Sequence, residues 1–159
     1  FRGLVDKYTW VELGSSFYMP ELTAAFLLAQ LEGQEECLAA RRPLADAYRK
    51  RLEDAERVRP LKYTDDQTEF NAHAMTAIFE TPEACEQVRL HMVAENIQAF
   101  IGYVPLHSSP MGRRLGYDRA DLPITELASR QILRLPIHTE LTLDDVHRVM
   151  DELERALAD

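Results

Sequence analysis

Three short apolar runs constrain this chain more than anything else in it: AHAMTAIFE at residues 72–80, IQAFIGYV at 97–104 and ILRLPI at 132–137. Each has the length of a strand. Between and around them lie longer stretches whose apolar residues return every three or four positions, the period of a helix with one buried face. A chain that alternates the two patterns has to stack helices on a sheet, because neither element can cover its own apolar face.

The helical stretches carry their own boundary signals. Pro20 suits the first turn of a helix bearing Leu22, Ala25, Phe26 and Ala29, and Gly33 marks a break or bend. Residues 35–55 read as a second helix with Leu44, Tyr48 and Leu52 on its buried face and Pro43 as a kink or restart. Thr81 followed by Pro82 is a cap and first-turn proline for a helix running to about Asn96. Another helix starts near Pro123. Thr142 caps the last one, which places Val146, Val149, Met150, Leu153 and Leu157 along one stripe. The predicted order is helix–helix–strand–helix–strand–helix–strand–helix, an α/β fold with a small sheet and helices packed on one side. Residues 63–71 read as a polar turn, and residues 107–122 as a long irregular loop of the kind that often carries function.

Composition narrows the partners. The 159 residues are 46% hydrophobic and 28% charged, with a formal net charge of −9. That balance excludes nucleic acid as the main partner, since phosphate backbones are bound by basic surface. Arg41-Arg42 and Arg49-Lys50-Arg51 are interleaved with acids and read as a solvated helix face. No apolar run approaches the ~20 residues that span a bilayer, and no signal peptide is legible. Cys37 and Cys85 have neither CxxC nor metal spacing, so they read as reduced thiols of a cytoplasmic protein. The sequence opens at Phe1, already inside an aromatic, apolar context, and is expected to be a piece of something longer.

Two constellations have chemistry to offer. Gly14-Ser15-Ser16 places small residues and two hydroxyls just before a helix, where a phosphate meets unpaired N–H groups; the plain alternative is a turn held by a serine side chain. GYVPLHSSPMGRRLG, residues 102–116, sets Tyr103 and His107 at a strand end, followed by Arg113 and Arg114. These residue types suit a polar or anionic small molecule, and an incidental surface loop is the alternative. His73, His91, His138 and His147 are scattered. There is no HExxH and no set of metal ligands at zinc spacing, nor a P-loop, a GxSxG elbow or a dinucleotide fingerprint. No metal is expected.

Residues 1–32, FRGLVDKYTWVELGSSFYMPELTAAFLLAQLE, together with NAH at 71–73, GYVPLHSSPMG at 102–112 and RLPIHTELT at 134–142, resemble the DegT/DnrJ/EryC1/StrS sugar aminotransferases over essentially the whole chain. The wording VDKYTWVELGSS is similar to the branch that makes dTDP-4-amino-4,6-dideoxygalactose from the 4-keto-6-deoxy sugar nucleotide. The resemblance implies the aspartate aminotransferase superfamily fold, pyridoxal 5'-phosphate as cofactor, a homodimer, and amino transfer from glutamate to a dTDP-4-keto-6-deoxyhexose in surface polysaccharide biosynthesis. It implies a lead-in segment at residues 1–32, with the phosphate turn and first helix, and a C-terminal small domain at 33–159.

In the family the turn reads Gly-Tyr-Asn-Tyr-Arg-Met and reaches the neighbouring subunit's cofactor phosphate through its asparagine. Here Ser16 takes the asparagine's place, beside Ser15, and Tyr18 takes the arginine's. By the same resemblance Tyr103 and His107 border the sugar-nucleotide pocket, with His73 a neighbour and Arg113 and Arg114 toward the nucleotide phosphates. The family's Schiff-base lysine precedes the matched segment; Lys7, Lys50 and Lys62 do not match it. These residues alone are therefore expected to be inactive, without held cofactor, and to self-associate through uncovered apolar surface. Two alternatives stand: a sugar dehydratase with histidine at the lysine's position, and a non-catalytic interaction domain.

Overall fold

The computed structural model describes residues 17–62, 70–102, 104–117 and 121–158. Two compact units divide the chain between Gln34 and Glu35. In the first, helix α1 (Glu21–Glu32) follows Pro20, and Gly33 ends it.

Helix α2 (Gln34–Asp54), which lies in the second unit from Glu35 on, buries Leu44, Ala45, Tyr48 and Leu52. The helix continues through Pro43 rather than restarting there. Pro43 has no N–H for the carbonyl of Ala39, but Ala39 is exposed, so water can take that bond. Strand β1 (Val58–Pro60) comes next and is an element the sequence did not announce. It is three residues long, polar at its centre and closed by a proline, which an edge strand tolerates. Then follow β2 (Met75–Phe79), α3 (Pro82–Ala94), β3 (Phe100–Ile101), α4 (Pro110–Arg114), α5 (Pro123–Gln131), β4 (Ile132–Leu135) and α6 (Leu143–Ala158).

The four strands form one antiparallel sheet in the order β1-β2-β4-β3. Its register sets Val58 opposite Phe79, Ala77 opposite Leu133, and Met75 opposite Leu135, so these six side chains share a face. That face is buried against Leu44, Tyr48 and Leu52 of α2, Val88 and Met92 of α3, and the stripe of α6 from Val146 to Leu157. Helices on one face of a small sheet are the arrangement the alternating pattern calls for.

Local signals explain most element ends. Thr81 Oγ1 accepts the Ala84 N–H at 3.1 Å, with Pro82 in the first turn of α3. The helix closes in a Schellman motif: Asn96 sits at φ 57, its N–H donates to the Val93 carbonyl, and the Ile97 N–H donates to the Met92 carbonyl at 2.8 Å. Thr142 and Asp145 cap α6 reciprocally, the Thr142 N–H donating to Asp145 Oδ2 at 2.8 Å and the Asp145 N–H donating to Thr142 Oγ1 at 3.2 Å. These bonds hold the Asp145 carboxyl below its ordinary range. At the other end of α6, Arg57 Nη1 and Gln87 Nε2 each donate to a last-turn carbonyl at 2.7 Å.

Two expectations need correction. Among the described residues, the apolar run at 97–104 is strand only at Phe100–Ile101, because Ile97 and Ala99 are spent on the core before it, while the Gly102 N–H still donates to the Ile132 carbonyl. The stretch 107–122 is not wholly irregular, since it holds α4.

Candidate functional site

Helix α4 exists because Ser109 and Pro110 repeat the cap-and-proline signal of α3: Ser109 Oγ accepts the Gly112 N–H at 3.1 Å and donates to the Leu106 carbonyl at 2.7 Å. Gly112 lets the turn fold this tightly. A Cβ there would lie 2.0 Å from the Leu106 carbonyl oxygen and 2.7 Å from that of His107. The loop leaving β3 is thereby wound back under α4, and His107 is set against α5.

His107 Nε2 sits 3.1 Å from Glu126 Oε1, and the ring is only 13% exposed. Around the pair is a cavity of about 430 Å3, lined also by Ser108, Arg113, Asp121 and Leu122. Two acids, one guanidinium, one imidazole and one hydroxyl offer both acceptors and donors. The α4 helix separates its two arginines: Arg113 lines the cavity, and Arg114, exposed, does not.

The structure therefore brings His107 and Arg113 together and adds Glu126, a residue sequence reasoning missed. His73 lies elsewhere, on a different cavity at the start of β2. Ser15, Ser16 and Tyr103 lie outside the described residues.

One further cluster forms across α3 and α6. His91 Nε2 lies 2.8 Å from Glu152 Oε2, Arg155 Nη1 donates to both Glu152 oxygens at 2.6 and 2.7 Å, and Glu95 is close by. The His91 ring, and after it Arg155, hold the Glu152 carboxyl below the usual carboxylate range. With Arg155 already neutralising it, the cluster reads as an interhelical tie. Cys85 is buried and its thiol is pushed up to about 11, chiefly by desolvation, which keeps it unreactive; Cys37 is exposed.

Comparison with known proteins assigns the fold. Residues 2–154 match the DegT/DnrJ/EryC1/StrS aminotransferase family. The chain belongs to that family. It is 30% identical over 146 residues to dTDP-4-dehydro-2,3,6-trideoxy-D-glucose 4-aminotransferase of Saccharopolyspora spinosa, covering 92% of this chain and 37% of the relative. The crystal structure of S. venezuelae DesV superposes with a TM-score of 0.80 at 27% identity, over 97% of this chain and 41% of that one. The PLP form of Spr1654 from Streptococcus pneumoniae shares the fold at a TM-score of 0.73 and 20% identity, over 88% of this chain and 36% of that one. The chain thus spans about two-fifths of the length of the DegT/DnrJ/EryC1/StrS proteins it matches. Among the described residues, no helix is long and apolar enough to cross a membrane.

Proposed function

We propose that these residues form the C-terminal part of a pyridoxal-phosphate-dependent sugar-nucleotide aminotransferase, which moves an amino group from glutamate to a dTDP-4-keto-6-deoxyhexose in cytoplasmic synthesis of a surface polysaccharide. The observation that carries this reading is the family match over residues 2–154. A relative named for a dTDP-4-dehydro sugar, and the donor-and-acceptor lining of the His107 cavity, support the substrate class. The resemblance to the branch forming dTDP-4-amino-4,6-dideoxygalactose supports the particular sugar.

In this reading residues 33–159 are the small domain and residues 1–32 lead into it. Small residues and two hydroxyls at Gly14-Ser15-Ser16 are chemically suited to a phosphate, so Ser15 and Ser16 would hold that of the cofactor across a homodimer. When bound, pyridoxal phosphate supplies the electron sink for amino transfer. This chain's own residues bind and orient. Glu126 fixes the His107 imidazole, His107 and Tyr103 border the sugar, and Arg113 meets a nucleotide phosphate with Arg114 beyond it on the rim. None of Lys7, Lys50 and Lys62 stands at the family's Schiff-base position, so residues 1–159 by themselves are inactive.

The test is steady-state kinetics on the longer protein that carries these residues. His107→Gln and Arg113→Ala should each raise KM for the keto-sugar nucleotide about tenfold, the size of one lost hydrogen bond to a charged group. The half-reaction with glutamate should be unchanged. Wild-type KM in both variants, or equal loss of the glutamate half-reaction, contradicts the assignment.

A further inference from the structure

The cluster between α3 and α6 has chemistry that the aminotransferase reading does not call on. We propose that His91, Glu95 and Glu152 bind a divalent metal ion of the zinc class, which clamps the two helices together.

The helical period of α3 builds half of the site. His91 and Glu95 stand four residues apart, so they lie on one face of the helix, a turn from each other. That face is turned toward α6, because His91 Nε2 lies 2.8 Å from Glu152 Oε2. Glu152 completes the set from the other helix. Among the described residues, this is the one group of three His, Cys, Asp or Glu side chains whose ligand atoms all lie within 4.8 Å of one another. Zinc binds imidazole and carboxylate at about 2.0–2.2 Å, which holds neighbouring ligand atoms under about 4.4 Å apart. A small side-chain rotation therefore closes the set.

Three observations point to a metal. The first is the donor set. An imidazole nitrogen with two carboxylate oxygens is zinc-type ligation, whereas a hard ion such as magnesium takes oxygen alone. The second is position. His91 lies in the last turn of α3 and Glu95 is its C-cap, at the end of the helix whose dipole favours a cation. The third is burial. Glu152 is 8% exposed, on the covered stripe of α6 beside Leu153, and a buried carboxylate has to be neutralised.

Arg155 now does this, its Nη1 donating to both Glu152 oxygens at 2.6 and 2.7 Å. Yet the Arg155 side chain is 61% exposed, and an exposed guanidinium is a weak competitor that can return to water. The interhelical tie is thus the metal-free form of the clamp. On binding, His91 Nε2 releases its proton to solvent, the metal takes the place of Arg155, and water fills the remaining coordination positions.

The experiment titrates this chain with zinc by calorimetry and with cobalt(II) by visible absorption, with magnesium as the control. One saturable zinc step is expected, with cobalt d–d bands, no thiolate charge-transfer band and no magnesium step. Zinc should also raise the unfolding midpoint, since it binds the folded chain. His91→Ala and Glu95→Gln should each abolish the zinc step and the cobalt bands, and Cys37→Ser should leave both intact. Arg155→Ala should bind zinc about threefold more tightly, as for release of one exposed ion pair. That gain cannot come from a variant that fails to fold. The proposal is overturned by the absence of a zinc step, by a step that survives in His91→Ala or vanishes in Cys37→Ser, or by magnesium binding equally well. Unchanged or weaker binding by Arg155→Ala would overturn it too. The titration uses neither cofactor nor sugar nucleotide, so its outcome is independent of the aminotransferase reading.

Discussion

Helices α1 and α6 are both regular and both rich in apolar residues, yet they obey opposite rules. Along α6 every apolar residue of the predicted stripe, from Val146 to Leu157, is buried, while Asp144, Asp151 and Glu154 stay in water. Along α1 nothing is buried; Leu22 is 86% exposed and Phe26 70%. The sequence ELTAAFLLAQLE has no polar side to turn outward. An amphipathic helix states which face is covered, and a helix apolar all round states that protein is expected on more than one side. In α6 the fold of this unit answers the pattern. In α1 the exposed side chains form the kind of patch that finds a partner.

The sharpest way to break the comparison is to truncate one apolar residue in each helix. Leu153→Ala in α6 should cost about 2–5 kcal/mol in denaturant unfolding, as for other fully buried leucines. Leu22→Ala in α1 should cost under about 0.5 kcal/mol. Equal costs would mean that α1 is covered within this chain.

A smaller effect sharpens the α6 side. The Glu152 carboxyl is held below its ordinary range in the folded state, so it binds a proton more readily when unfolded. Its contribution is complete above the unfolded value of about 4.3 and is lost as pH falls through the lower folded value. Wild type should lose more stability than Glu152→Gln between neutral and acidic pH. Parallel profiles would show that the tie to His91 and Arg155 is idle.

The smallest effect on stability, and the most telling on association, belongs to α1. Leu22→Asp with Phe26→Ser should leave the unfolding midpoint in place while reducing self-association in light scattering. A wild-type chain that stays monomeric at high concentration would contradict the reading of α1.

The two helices also mark how much was legible in the sequence. Local signals could be read directly: Thr81-Pro82, the Thr142 cap, the Leu44-Tyr48-Leu52 face. Ser109-Pro110 carries the same signal as Thr81-Pro82, but it lies in a polar stretch with no apolar period behind it, and α4 is only five residues long. Strand β1 was illegible because its three residues gain strand character from pairing with β2, not from composition. The candidate sites were legible by residue type and not by membership. His107 was visible, whereas Glu126 joins it only once α5 packs beside the β3 loop. His73 and His138 looked scattered until the β2–β4 register brought them to one edge. Pairings of this kind live in topology, where sequence spacing carries no record of them.

The account rests on this chain being the C-terminal part of a sugar-nucleotide aminotransferase. The most direct test incubates the longer protein that carries these residues, and residues 1–159 alone, with pyridoxal phosphate, glutamate and dTDP-4-keto-6-deoxyglucose, and identifies the sugar nucleotide by mass spectrometry. The account predicts the 4-amino sugar nucleotide from the longer protein and unchanged substrate from residues 1–159. Unchanged or dehydrated sugar from the longer protein, or amination by residues 1–159 alone, would contradict it.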